Sequence, residues 1–132
     1  MKKRIRLFIF DNDPEELWIL REIFEASDFE VSTVSDMRNL FHKIVEFAPD
    51  VLLIDVQLNN YDGRTLCHHL RHTEATKDIP IIMMSPHDDL SPMDGVFCKA
   101  DYMIKKPFKV SDVIQYIDTI TSTNENQING TN

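Results

Sequence analysis

Val51-Leu52-Leu53-Ile54-Asp55 is four apolar residues running straight into a carboxylate. Pro49-Asp50 precedes it and Asn59-Asn60 follows. A short unbroken apolar run between turn formers reads as a strand buried on both faces. Asp55 then stands at the strand's carboxyl end, where an unpaired charge is costly. A second run ends the same way: Leu7-Phe8-Ile9-Phe10 leads into Asp11, with Asn12 and Asp13 behind it. In open parallel sheets, ligands bind beyond the carboxyl ends of the strands, where strand order reverses. Two acid-tipped strands therefore predict one shared acidic pocket.

Working outward, residues 4–10 are expected to form the first strand. Asp13 suits a helix cap and Pro14 the first helical position. Glu15 and Glu16 favour the positive end of that helix. Leu17, Leu20, Ile23 and Phe24 give it one apolar stripe, and Trp18 falls off the stripe. Residues 29–34 alternate as a strand. A helix is expected over 36–47, with Leu40, Ile44, Val45 and Phe47 inward. Tyr61-Asp62-Gly63 reads as a turn before a helix over 64–73, whose inner face is Leu66, Cys67 and Leu70. A fourth strand over 79–84 ends in Ser85. Ser91-Pro92 starts a weak helix to about Cys98, because Gly95 lies inside it. A fifth strand over 100–105 and a last helix over 110–120 follow, with Val110, Val113, Ile114 and Ile117 inward. Residues 1–121 are thus one domain, and the polar stretch 122–132 is expected to be a disordered tail or linker stub. The alternation of strand and helix predicts an α/β fold: a single five-stranded parallel sheet with helices on both faces and right-handed crossovers.

The 132 residues suffice for one domain with a real core, and 42% hydrophobic with 27% charged is an ordinary globular balance. The net charge of −8 argues against direct nucleic-acid contact. The basic cluster Lys2 to Arg6 reads as the solvated start of a strand. Cys67 and Cys98 lack metal-type spacing and read as thiols of a reducing compartment. No run has membrane-spanning length, so no membrane insertion and a cytoplasmic location are expected. His68 and His72 lie one helical turn apart, but no acid or water-activating partner accompanies them, and a solvated helix face is the simpler reading.

Four landmarks fall at strand ends: Asp11 with Asn12, Asp55, Ser85 and Lys106-Pro107. Each alone is an ordinary turn or cap residue. One per strand, in this order, they would meet at one rim. Here the sequence resembles the receiver domain of two-component response regulators of the chemotaxis-regulator type, over about residues 4–121. The resemblance rests on Phe10-Asp11-Asn12-Asp13-Pro14, Leu53-Ile54-Asp55, Asp62-Gly63, Ile81-Ile82-Met83-Met84-Ser85 and Lys105-Lys106-Pro107-Phe108. It implies the flavodoxin-like strand order 2-1-3-4-5. It also implies that Asp55 accepts a phosphoryl group from a histidine kinase or histidine phosphotransfer protein, acting as a switch rather than a classical enzyme. Mg²⁺ would be held by Asp11, Asn12, Asp55 and the backbone carbonyl of Gln57. Lys106 and Ser85 would contact the phosphoryl oxygens, and the Lys106-Pro107 bond would be cis. Gln57 and His87 would flank the pocket. A downstream protein or a fused output domain would receive the signal, and a homodimer is a further assembly such domains allow.

The departures from that family carry their own expectations. Asn12 stands where a second acid is usual, so Mg²⁺ binding should be weak. Met103 stands where an aromatic residue is common, and strand alternation sends Tyr102 to the other face. Asn59 replaces a usual Pro, and Pro86, Pro92 and Gly95 break up the fourth helix. Two alternatives follow: a phosphorylation-independent interaction module, which Asn12 and Met103 favour, and a small aspartyl-phosphate hydrolase. The latter needs a general acid two residues past the nucleophile, where Gln57 stands.

Overall fold

In the computed structural model the described residues are 3–86 and 99–129, with side chains to 122. The elements in chain order are β1 (Arg6–Phe10), α1 (Pro14–Ala26), β2 (Glu30–Val34), α2 (Leu40–Phe47), β3 (Val51–Asp55), β4 (Gln57–Leu58), β5 (Tyr61–Asp62), α3 (Gly63–Arg71), β6 (Ile81–Ser85), β7 (Tyr102–Lys105) and α4 (Val110–Asn129). The main sheet has the order β2-β1-β3-β6-β7, with every pairing parallel. Counting only its five strands, this is the expected order 2-1-3-4-5.

The apolar run at 51–54 explains the centre. Every residue of β3 is buried. Alternation sends Val51 and Leu53 into one core with Leu17, Leu20 and Phe24 of α1 and Val113, Ile117 and Ile120 of α4. Leu52 and Ile54 enter a second core with Leu40 and Ile44 of α2 and Leu66, Cys67 and Leu70 of α3. Helices therefore cover both faces, which is what makes a continuously apolar strand stable at the centre. Tyr102 stacks on Tyr116 of α4 with ring centroids 4.5 Å apart, while Met103 packs on the other face.

Several boundaries differ from expectation. Helix α2 starts at Leu40, not Asp36, because Asn39 is left-handed (φ 53°) and Asp36 accepts the Arg38 N–H in a local turn. Val45 and Ile23, expected inward, are exposed on α2 and α1. Residues 57–62 form a two-stranded hairpin, with Gln57 opposite Asp62 and Leu58 opposite Tyr61. Asn60 carries its positive φ of 53°. The last helix does not stop at Ile120. Its backbone continues through Asn129, so the polar stretch read as an irregular tail is largely helical. No Pro or Gly interrupts residues 110–129, and the first breaker is Gly130. The helix expected over 91–98, His87 and Cys98 lie outside the described residues.

Candidate functional site

Four strand ends and one helix build the site. Asp11 follows β1 and is fully buried, and Asp55 ends β3 with 3% exposed. Lys106 follows β7, and its peptide bond to Pro107 is cis. The Lys106 Nζ lies 3.1 Å from Asp11 Oδ2, 2.9 Å from Asp55 Oδ2 and 2.9 Å from Glu16 Oε1. Both buried acids are thus paired, the condition for keeping such charges out of water. Backbone groups hold the other carboxylate oxygens: the Gln57 N–H donates to Asp55 Oδ1 at 2.8 Å and the Asp13 N–H to Asp11 Oδ1 at 2.9 Å.

Ser85 is buried at the end of β6. Its neighbour Met84 pairs with Asp55 across the sheet, so Ser85 lies one register step beyond the acid. On its other side Ser85 pairs with Lys105, and its carbonyl accepts the Lys106 N–H at 2.7 Å. The register alone thus brings Ser85 and Lys106 to the rim where Asp55 stands.

Burial raises the pKa of Asp55, and hydrogen bonds from Lys106 and the Gln57 N–H oppose but do not cancel that push. Burial likewise raises Glu16, against its bond to Lys106. Burial works against the ammonium of Lys106, but its bonds to Asp55 and Glu16 and the charges of Asp11 and Asp55 outweigh it and raise its pKa. The lysine is therefore charged throughout the neutral range. Asp13 caps α1, accepting the Glu15 and Glu16 N–H groups. It does not take the place of Asn12 in the cup.

Asn12 shows what the cup can bind. Its side-chain amide lies 3.2 Å from Asp11 Oδ1 and 3.1 Å from the Gln57 carbonyl oxygen. Turned one way, the NH₂ donates to both. Turned the other, it donates to Asn59 Oδ1 at 3.1 Å and the amide oxygen faces two other oxygens. Three convergent oxygens repel one another unless a cation lies among them. A carboxylate, an amide oxygen and a backbone carbonyl are the hard donors that Mg²⁺ takes. The residues present therefore fit a hard divalent cation, and the Asn12 amide can serve the cup with or without it. The donors are of mixed type: among the described residues no group of three or more His, Cys, Asp or Glu side chains is arranged for a metal. That holds for His68 and His72 too, whose ring centroids lie 4.2 Å apart at an interplanar angle of 38°, with no third ligand to complete a group.

Glu16 was legible in sequence only as a charge at a helix start. An acid three residues after a capping Asp would ordinarily reach back to the cap's own N–H. Here Asp11 Oδ1 already accepts that N–H, and Glu16 reaches Lys106 instead.

Comparison with known proteins agrees with this geometry. The sequence pattern described as "Response regulator receiver domain" matches residues 7–118. The DNA-binding dual master transcriptional regulator RpaA of a Synechocystis species is 29% identical over 110 residues, covering 83% of this chain and 46% of that protein. The DNA-binding response regulator MtrA of Mycolicibacterium smegmatis is 26% identical over 125 residues, covering 94% and 54%. The chain spans about half the length of these curated relatives. Among solved structures, the N-terminal domain of the nisin resistance regulator NsrR is 28% identical with a TM-score of 0.72, covering 89% of this chain and 98% of that one. The receiver domain of a histidine kinase from Syntrophus aciditrophicus is 25% identical with a TM-score of 0.77, covering 89% and 90%. A sensor-kinase receiver domain from Pseudomonas aeruginosa, described with magnesium in its active-site cleft, shares the fold at 17% identity and a TM-score of 0.75, covering 89% and 97%. No helix among the described residues is long and apolar enough to cross a membrane. The chain belongs to the response regulator receiver domain family of two-component systems.

Proposed function

We propose that the chain is a phosphorylatable switch whose acceptor is Asp55. The observation that carries this reading is the Lys106 ammonium seated between two buried carboxylates, 3.1 Å from Asp11 and 2.9 Å from Asp55. Phosphoryl transfer needs positioning and charge neutralisation above all. A carboxylate oxygen of Asp55 forms the new O–P bond as the P–N bond of a phosphohistidine on a kinase or phosphotransfer protein breaks. Lys106 and the Ser85 hydroxyl receive the phosphoryl oxygens. The added charge then biases the surrounding loops toward a partner-binding arrangement. Asp11, Asn12, Asp55 and the Gln57 carbonyl would hold Mg²⁺, which when bound supplies further neutralisation of the phosphoryl oxygens. The relatives named as DNA-binding are about twice as long, so DNA contact in them is compatible with a net charge of −8 here. An output segment beyond these residues, or a separate protein, reads the switch.

The test is incubation with a small phosphodonor and Mg²⁺, followed by intact-mass measurement. One phosphoryl group is expected on the wild type and none on Asp55→Ala. No gain on the wild type, or an equal gain on the variant, removes the reading and leaves an interaction module independent of phosphorylation.

Asn12 contributes an oxygen but no charge, so Mg²⁺ binding is expected to be weak. Replacing it with a carboxylate adds a full charge beside the cation. Asn12→Asp is expected to tighten Mg²⁺ binding by about tenfold or more, taking a surface-like dielectric. Unchanged affinity in a metal titration would show that Asn12 lies outside the coordination sphere.

A further inference from the structure

Among the described residues, the lysine at the centre of the cup is held by three acids, and the third comes from a helix rather than a strand end. Glu16 Oε1 lies 2.9 Å from Lys106 Nζ, as close as Asp55 does. The pairing is not a surface accident: the Lys106 side chain is 19% exposed and that of Glu16 33%. Asp13 fixes the start of α1 by capping it, and so fixes where Glu16 projects.

Charge balance gives this contact a meaning. A divalent cation beside the ammonium puts three positive charges into a largely buried cup. Asp11 and Asp55 offset two of them. Asn12, at the rim, offsets none. A net charge buried at low dielectric is unfavourable, so two acids alone would hold the cation poorly. Glu16 supplies the third negative charge. It does so through the ammonium of Lys106, which its carboxylate contacts at 2.9 Å.

We infer that Glu16 is a positioning residue of the phosphoacceptor site, which holds Lys106 in the cup and balances its charge so that a divalent cation can bind beside it. This rests on the reading that the cup takes Mg²⁺. Losing Glu16 then weakens cation binding through the lysine whose charge it balances. The influence is Coulombic: it survives shortening of the side chain and is screened by salt.

The experiment is a Mg²⁺ titration of the full chain, followed by backbone amide shifts at Asp11, Gln57 and Lys106, on wild type, Glu16→Gln and Glu16→Asp. Glu16→Gln is expected to bind Mg²⁺ about tenfold more weakly at low salt. At 0.5 M salt, where the Debye length is only about 4 Å, that gap should narrow markedly. Glu16→Asp, which keeps the charge, is expected to lie within about threefold of the wild type. Equal affinity in Glu16→Gln and wild type overturns the inference. Tighter binding in Glu16→Gln overturns it too, since Glu16 would then only compete for the lysine. Glu16→Asp as weak as Glu16→Gln would show a packing role instead of a charge. A wild type that takes no Mg²⁺ at these amides removes the underlying metal reading as well, an outcome distinct from the other three.

Discussion

Lys106→Met should destabilise the chain by about 3 kcal/mol at pH 7, the scale set by breaking a buried ion pair. Methionine keeps most of the aliphatic stem, so the loss is of charge rather than packing. Asp11, Asp55 and Glu16 all converge on the Nζ atom. Without it, two buried carboxylates and a half-buried one face each other. Asp55 already has a raised pKa with the lysine present, because burial outweighs its hydrogen bonds. Removing the ammonium raises it further. A carboxylate whose folded pKa lies above its unfolded value is penalised when ionised, so the deficit is full above the folded pKa. It vanishes as pH falls below the unfolded value. The variant should therefore differ most from wild type near neutrality and converge with it toward pH 4. Added Mg²⁺ should recover much of the loss, since a cation replaces the missing charge. Urea denaturation at pH 7 and pH 4.5, with and without Mg²⁺, reads all three effects. A deficit under about 1 kcal/mol at pH 7 would mean that water or protonation already relieves the three acids.

The contrast between Asp55 and Glu16 shows what was legible beforehand. Asp55 announced itself because an apolar strand cannot end in a carboxylate without a partner, and strand ends of a parallel sheet share one rim. The same logic placed Asp11, Ser85 and Lys106 there, and the structure brings all four to it. Glu16 sits on a helix, where an acid in the first turn has an ordinary explanation in the helix dipole. Its partner lies ninety residues further along the chain, and nothing local in sequence pairs them. The misplaced boundaries have similar causes. Asp36 looks like a helix start, but its side chain is spent on Arg38 in a turn, and Asn39 adopts a left-handed backbone. Val45 fits an inward stripe by spacing, yet α2 spans only 40–47, and Leu40 and Ile44, with Phe47 packed against the same core, define its inner side. The stretch after Ile120 lacks an apolar stripe, so periodicity is silent on it. Its freedom from breakers, a weaker signal, is what agrees with the continued helix.

Gly63→Ala should cost about 3 kcal/mol and disable Asp55 as the proposed acceptor, although alanine is the better helix former by about 1 kcal/mol. Gly63 is the first residue of α3, and its N–H donates to the Val56 carbonyl at 2.7 Å. A Cβ at this position collides with the carbonyl oxygen of Asp55 and comes within 3.0 Å of the Asp55 carbonyl carbon and the Val56 Cα. These are backbone atoms, with no rotamer to escape through. The strand cannot give way cheaply either: the Val56 N–H is bonded to the Met84 carbonyl at 2.8 Å, and all of β3 is buried. The clash thus outweighs the propensity gain, and whatever relief occurs must tilt the peptide that carries Asp55. A tilt there also disturbs the Gln57 N–H that holds Asp55 Oδ1. Stability should fall and phosphodonor labelling should fall with it, even at temperatures where the variant is fully folded. Labelling that stays normal in a folded Gly63→Ala would mean that α3 can withdraw from the strand end without moving the acid, and that the close approach of helix to strand does not position the acceptor.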